Sequence, residues 1–223
     1  MSVFHTAICA AGATNSIYRR AKSDIWLAIP PALCACGMEI NMTKVNAFLQ
    51  DGFETVEALA VVDVLRRAGM NVETISLMDG LEVKSAQNII VKADKEFAGY
   101  DFADTDVFFL PGGPGTKNYE TKPEFINVIA NAYKEGRLIT AICAAPSVLG
   151  KMGLLKGRRA TCFPGFENAL EGAQVTGGRV ETDGNVITSR GMGTSIDLGL
   201  EIIKVIEGEE KSQSIAKSTQ YLD

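Results

Sequence analysis

Histidine is almost absent from this chain of 223 residues: the single one, His5, lies within the first 41 residues. Cysteine hydrolases and amidotransferases use an imidazole to accept the proton of the nucleophile. Residues 42–223 therefore cannot hold a Cys-His dyad, which argues against that class of enzyme. A reactive cysteine in this part of the chain would have to rely on a carboxylate for proton transfer.

Long apolar runs, an excess of basic residues and a disulfide framework are also missing. No apolar run reaches the roughly 18 residues of a transmembrane helix, so none is predicted. The formal net charge of −5 argues against nucleic acid as a partner. The five cysteines have no framework spacing, which indicates reduced thiols and favours a cytoplasmic location.

Residues 1–41 differ in composition from the rest of the chain. They hold three of the five cysteines, the only histidine and the only tryptophan, Trp26. Three explanations are open: upstream sequence included through a wrong start codon, a signal peptide whose apolar core is broken by Pro30 and Pro31, or an organelle transit peptide. We therefore assign residues 42–223 as the single domain, and expect import into an organelle only if the leader is a targeting segment.

From Lys44 onward, short apolar runs alternate with segments of helical periodicity. The predicted strands are 45–49, 72–77, 107–110, 138–142, 159–163, 175–181 and 186–189, with a hairpin or crossover strand at 81–91. The predicted helices are 55–68, one between Thr121 and Gly136, 144–149, one between Thr194 and Gly208, and 210–217. This alternation predicts an α/β fold with a parallel sheet and helices on both faces, and ligands bind outside the carboxyl ends of such strands.

The sharpest candidate for chemistry is Cys143, at the junction of a predicted strand and a predicted helix. Such a junction resembles a nucleophile elbow, which needs small residues two positions before and after the nucleophile, here Ala141 and Ala145. A helix N-terminus after Cys143 would lower the pKa of its thiol. The alternative is a buried core cysteine.

The candidate proton carrier is Glu57, which lies inside a first helix that is apolar nearly all round. A carboxyl buried there would have a raised pKa, suited to proton transfer near neutral pH. The alternative is a solvated glutamate that complements the helix dipole, although Glu54 already occupies that position. A helix without a polar face is covered on both sides, so we expect the sheet on one side and a second subunit on the other.

Backbone N–H groups are the candidate oxyanion donors. Gly112 and Gly113 follow a predicted strand, as Cys143 does, so both points face the same edge of the sheet. N–H groups at these glycines and at Ala144 could bind a developing oxyanion. A plain turn is the alternative for the two glycines.

Four motifs together resemble the ThiJ/PfpI superfamily, and within it the branch of the Parkinson-disease-associated protein deglycase. They are DGFETVEALAVVDVLRRAG (51–69), FFLPGG (108–113), AICAAP (141–146) and TSRGMGTS (188–195). The resemblance implies a flavodoxin-like, class I glutamine amidotransferase-like sandwich and a homodimer packed through helix 55–68. It also implies an oxidisable nucleophile at Cys143, an acidic partner at Glu57, oxyanion donors at Gly113 and the elbow, and Arg67 reaching the site of the second subunit.

The chain departs from the family pattern at three positions near the site. Phe163, beside Pro164, stands where the family has a histidine. Ala144 stands where the protease-like branch has a histidine, so peptidase activity is not expected. Met192 replaces a proline of the family motif, which changes the rigidity of that loop but no catalytic group.

Two functions compete on the same residues. The first is a glyoxalase or deglycase for methylglyoxal-type α-oxoaldehydes or glycated substrates, in which Cys143 forms a hemithioacetal and Glu57 moves a proton. It needs no metal and no cofactor. The second is a redox-sensing stress protein or chaperone that uses oxidation of Cys143. A biosynthetic role on a phosphorylated substrate has no phosphate-binding glycine-rich loop to support it.

Overall fold

The computed structural model describes residues 18–20, 26–28 and 42–222. Two short strands in the leader, β1 (Tyr18–Arg20) and β2 (Trp26–Ala28), pair antiparallel. The chain divides into two units between Asn41 and Met42, where the composition also changes. The origin of the leader, whether a misread start or a targeting segment, lies outside what these strands describe and stays a prediction.

The domain is built on a seven-stranded sheet of order β12-β13-β9-β8-β3-β4-β7, parallel except for the edge strand β12. The strands from residue 42 onward are β3 (Lys44–Leu49), β4 (Asn71–Ser76), β5 (Glu82–Lys84), β6 (Ile90–Lys92), β7 (Lys95–Glu96), β8 (Val107–Leu110), β9 (Leu138–Ile142), β10 (Arg159–Ala160), β11 (Gln174–Val175), β12 (Val180–Asp183) and β13 (Val186–Ser189). Every residue of the central strands β8 and β9 is buried, as expected for parallel strands covered on both faces.

Five helices cover the sheet: α1 (Thr55–Arg67), α2 (Pro123–Lys134), α3 (Pro146–Lys151), α4 (Ser195–Glu207) and α5 (Glu209–Ser218). One apolar core joins α1, α4 and α5 to one face of the sheet, and a second joins α2 and α3 to the other face. The predicted flavodoxin-like sandwich is therefore confirmed. Among the helices of the described part of the chain, none is long and apolar enough to cross a membrane.

The element that packs on α1 besides the sheet is not the one expected. Val61, Val64 and Leu65 of α1 share one core with Leu198 and Ile202 of α4, so α4 lies where a second subunit was expected. The argument for a dimer from an uncovered apolar face therefore fails. A dimer through the remaining surface of α1, where Val56 is 45 % exposed, stays a prediction that rests on the family resemblance.

Local differences arise where side chains replace backbone partners. A 3₁₀ segment, Pro114–Thr121, ends at Thr121, whose hydroxyl donates to the Asn118 carbonyl oxygen. Helix α2 begins at Pro123, and no side chain caps its N-terminus. Strand β10 ends early because the Thr161 N–H donates to the Thr188 hydroxyl instead of a backbone carbonyl. β10 and β11 form a separate two-stranded sheet, and β5 pairs with β6 as an antiparallel hairpin.

Candidate functional site

Cys143 lies in a strained turn between β9 and α3. Its φ is +64°, in the left-handed region that non-glycine residues seldom occupy. The turn is held from two sides, because the Cys143 N–H donates to the Ser189 carbonyl oxygen at 2.9 Å and the Phe163 N–H donates to the Cys143 carbonyl oxygen at 2.8 Å. The thiol is thereby fixed at the carboxyl edge of the sheet, partly exposed, in the geometry of a nucleophile elbow.

Glu57 points into the protein from the first turn of α1. Glu54 is the N-cap of this helix, and its carboxylate accepts the Glu57 N–H at 2.7 Å. The Glu57 side chain is 1 % exposed and accepts the Gly112 N–H at 3.0 Å. It lies close to Cys143, since a Cβ at Gly112 would clash with both the Glu57 carboxyl and the Cys143 Cβ. The reading of Glu57 as a solvated first-turn glutamate therefore does not hold.

Burial raises the pKa of the Glu57 carboxyl from its ordinary 4.5 to about 7. The negative charge of Glu54 adds to this rise, while the hydrogen bonds from Cys143 and from the N–H groups of Gly112 and Met192 oppose it. The carboxyl can therefore exchange a proton near neutral pH.

The pKa of the Cys143 thiol shifts in the direction opposite to the one expected from its position before a helix. Burial, then the charge and hydrogen bond of Glu57, raise the pKa of its thiol to about 12, and the N–H groups of Gly113 and Ala144 lower it only in part. Since α3 has six residues and begins three positions later, its dipole does not outweigh these effects. The thiol and the carboxyl thus hold one negative charge near neutral pH, and a proton on Glu57 removes the repulsion that opposes a thiolate.

The two glycines after β8, Gly112 and Gly113, have different roles. The Gly112 N–H is committed to Glu57, so it is not free to bind an oxyanion. A Cβ at Gly112 would lie 2.5 Å from the Cys143 Cβ, so only glycine permits this approach. The N–H groups of Gly113 and Ala144 point to the Cys143 sulfur and remain the candidate oxyanion donors.

Of the other predicted residues, Phe163 lies beside Cys143 and exposes 47 % of its surface, with exposed Pro164 following it. Arg67 does not lie at this site. It follows Glu57 by ten residues on α1, about 15 Å along the helix, and pairs with Asp63 at 2.6 Å. Only a second copy of the chain could bring an Arg67 to Cys143, so this residue stays a prediction tied to the dimer.

Sequence reasoning missed the contribution of the loop after β13. The Met192 N–H opposes the rise in the pKa of the Glu57 carboxyl, and a Cβ at the preceding Gly191 would lie 3.2 Å from the Phe163 ring and 3.9 Å from that carboxyl. The signal was available, because β13 is parallel to β9 and Ser189 pairs with Ile142, so the two strands end at the same edge. The motif TSRGMGTS marks this loop, but its residue types do not indicate a role for its backbone.

The second thiol of the domain, Cys162, is 3 % exposed, and burial raises its pKa to about 11. Residues 18–20, 26–28 and 42–222 contain no group of three His, Cys, Asp or Glu side chains arranged to hold a metal ion.

Residues 43–205 match the model of the DJ-1/PfpI family. Protein dj-1beta of Drosophila melanogaster is 37 % identical over 172 residues, which cover 76 % of this chain and 92 % of that protein. The glutathione-independent glyoxalase DJR-1.2 of Caenorhabditis elegans is 31 % identical over 169 residues, with 74 % and 88 % covered.

Protein DJ-1 homolog B of Arabidopsis thaliana is 36 % identical over 173 residues, but this chain spans only 40 % of its length. The fold is similar to the crystal structure of a mutant DJ-1 superfamily protein from Salmonella typhimurium. The TM-score is 0.78 at 34 % identity, with 82 % of this chain and all of the other covered.

Proposed function

Because this chain belongs to the DJ-1/PfpI family, we propose that it is a glyoxalase or deglycase that acts on α-oxoaldehydes through Cys143 without a metal or cofactor. The observation that carries the proposal is the contact between Cys143 and Glu57, a carboxyl that is 1 % exposed and has a pKa of about 7. A relative of 31 % identity is named a glutathione-independent glyoxalase, which supports this reaction class.

The reactive state has a thiolate at Cys143 and a proton on Glu57. Sulfur forms a bond to the aldehyde carbon of the substrate, and the electrons of the carbonyl bond move to its oxygen. That oxygen takes the proton of Glu57, which yields a hemithioacetal and a carboxylate. The N–H groups of Gly113 and Ala144 stabilise the charge on sulfur before attack and on oxygen during it.

Glu57 then acts as a base on the substrate. Its carboxylate takes the C–H proton of the former aldehyde carbon, and the electrons move through an enediolate to the neighbouring carbonyl oxygen. Glu57 returns this proton to the neighbouring carbon, while the hydroxyl proton of the first carbon passes to the second oxygen. The product is a thioester of a 2-hydroxy acid with Cys143.

Hydrolysis of the thioester completes the catalytic cycle. Water adds to the thioester carbon, one of its protons returns to Glu57, and Cys143 leaves as the thiolate. The sum is one oxoaldehyde and one water converted to one 2-hydroxy acid, an internal redox change that needs no external oxidant or reductant. A glycated amine carries the amine on the former aldehyde carbon as a hemiaminal. The Cys143 sulfur would bond to that carbon as the C–N bond breaks, the amine would leave with the proton of Glu57, and the same hemithioacetal would result.

The experiment is the conversion of methylglyoxal to lactate by pure protein in the absence of glutathione. We expect turnover by the parent, none by Cys143→Ser, and parental turnover by the control Cys162→Ser, whose thiol is buried away from solvent. Thermal midpoints of the three proteins check that the fold is retained. Near-parental turnover by Cys143→Ser would contradict the assignment of the nucleophile.

The redox-sensing function is favoured by a different observation, the contrast between a partly exposed Cys143 and a buried Cys162. Two equivalents of hydrogen peroxide would each transfer one oxygen to the Cys143 sulfur and leave as water, giving the sulfinic acid. Quantitative oxidation of Cys143 by dilute peroxide, in a protein that does not turn over methylglyoxal, would favour this function over the enzyme.

A further inference from the structure

Two residues with exposed apolar side chains, Phe163 and Met192, lie on loops that are distant in sequence and approach each other at the site. Phe163 follows β10 and exposes 47 % of its surface; Met192 follows β13 and exposes 54 %. Phe163 is tied to the nucleophile through its backbone, because its N–H donates to the Cys143 carbonyl oxygen. Met192 directly follows Gly191, which lies near the Glu57 carboxyl.

The surroundings of Gly191 show how close the two loops lie to each other. A Cβ at Gly191 would lie 3.2 Å from the Phe163 ring and 3.9 Å from the Glu57 carboxyl oxygen. The Phe163 ring and the Glu57 carboxyl therefore both lie beside Gly191, and Met192 is the next residue. We call Phe163 and Met192 the apolar rim.

We infer that the apolar rim binds the substituent of the α-oxoaldehyde, so that substrates with an aromatic or branched aliphatic group are preferred to methylglyoxal. This inference rests on the proposed function and adds the substrate preference. The loops that carry the rim adjoin Cys143 and Glu57, so the rest of a short substrate bonded to the Cys143 sulfur would extend over these loops. Covering the exposed half of an aromatic ring removes apolar surface from water, whereas the methyl group of methylglyoxal is too small to cover it.

The probes are phenylglyoxal and methylglyoxal, assayed without glutathione on the full chain. We expect the parent to have the higher kcat/KM for phenylglyoxal, and the ratio of the two values to fall about tenfold in Phe163→Ala and in Met192→Ala, the scale of one lost apolar contact in a substrate pocket. The matched control is Val205→Ala, which removes an exposed apolar side chain from the far part of α4 and should keep the parental ratio. An unchanged ratio in both rim variants, or a parent without preference, overturns the inference and leaves the proposed function standing.

A second measurement does not need turnover. If neither aldehyde reacts, the proposed function fails, and the rim is tested by alkylation of Cys143 with N-phenylmaleimide and N-methylmaleimide, followed by mass spectrometry of the Cys143 peptide. The rate ratio, divided by that for free cysteine, should favour the phenyl reagent and fall in Phe163→Ala. A ratio that is the same in the parent and in both rim variants would refute the rim.

Discussion

Replacing Glu57 tests where the one negative charge of the thiol–carboxyl pair resides. Burial raises the pKa of both groups, to about 7 at Glu57 and, beside the charged Glu57, to about 12 at Cys143. Because the two groups titrate as a pair, these values describe its first and second proton and do not say which atom carries the first charge. We predict that the first charge is on sulfur. Cys143 is partly exposed and receives the N–H groups of Gly113 and Ala144, whereas Glu57 is 1 % exposed and is costly to ionise.

The two placements of the charge differ widely in the amount of thiolate. With the charge on sulfur, about half of Cys143 is thiolate at pH 7; with the charge on the carboxyl and a thiol pKa of about 12, the thiolate fraction is on the order of 10⁻⁵. Thiolate ultraviolet absorbance against pH distinguishes these values, with Cys143→Ser subtracted to remove the other four cysteines.

The variants change the absorbance curve in opposite directions under the two placements. Glu57→Leu removes a donor to the thiolate and should raise the pKa of Cys143. Glu57→Gln keeps a hydrogen bond to sulfur but cannot carry the proton, so turnover of methylglyoxal should fall on the order of 100-fold or more. If the parent forms thiolate only near pH 12 and Glu57→Leu lowers that pKa, the charge is on the carboxyl and the mechanism is wrong. Equal pKa values in all three proteins would mean that the residues are uncoupled.

Three further predictions concern the pH dependence of stability, the leader and the oligomeric state. Since the raised pKa of Glu57 gives the folded state more bound protons between pH 4.5 and about 7, the free energy of unfolding should fall by up to about 3 kcal/mol as pH rises through that window, and Glu57→Gln should flatten the fall in urea titrations at several pH values. The chain beginning at Met42 should match the full chain in thermal midpoint and turnover; a loss of several degrees would mean that the leader contributes to stability. Sedimentation should give a homodimer with α1 in its interface, weakened by Val56→Asp, and a monomer at micromolar concentration would refute it.

The sequence predicted the elbow and the buried carboxyl because both depend on local patterns. The run from Leu138 to Ile142 changes from strand to helix periodicity at Cys143, and Glu57 stands in an apolar helix whose N-cap position is taken by Glu54. These features need only a few neighbouring residues to be recognised, and the structure has the strand, the strained turn and the buried side chain in those places.

The features that escaped prediction depend on contacts between distant segments. The cover of α1 by α4 joins residues more than 100 positions apart, and no pattern within α1 distinguishes a helix of the same chain from one of a second subunit. The same holds for the Met192 N–H at Glu57. The rise in the pKa of Cys143 was missed because a helix terminus is readable from the sequence, whereas the extent of burial is not.

The positive φ of Cys143 has a consequence for how this position evolves. A non-glycine residue in the left-handed region costs on the order of 1–3 kcal/mol, which glycine would largely avoid. Selection for stability alone would therefore favour glycine at this position. Two backbone hydrogen bonds already hold the turn, and neither depends on the side chain. The strained backbone at this position is therefore a cost in stability that comes with placing a thiol in this turn.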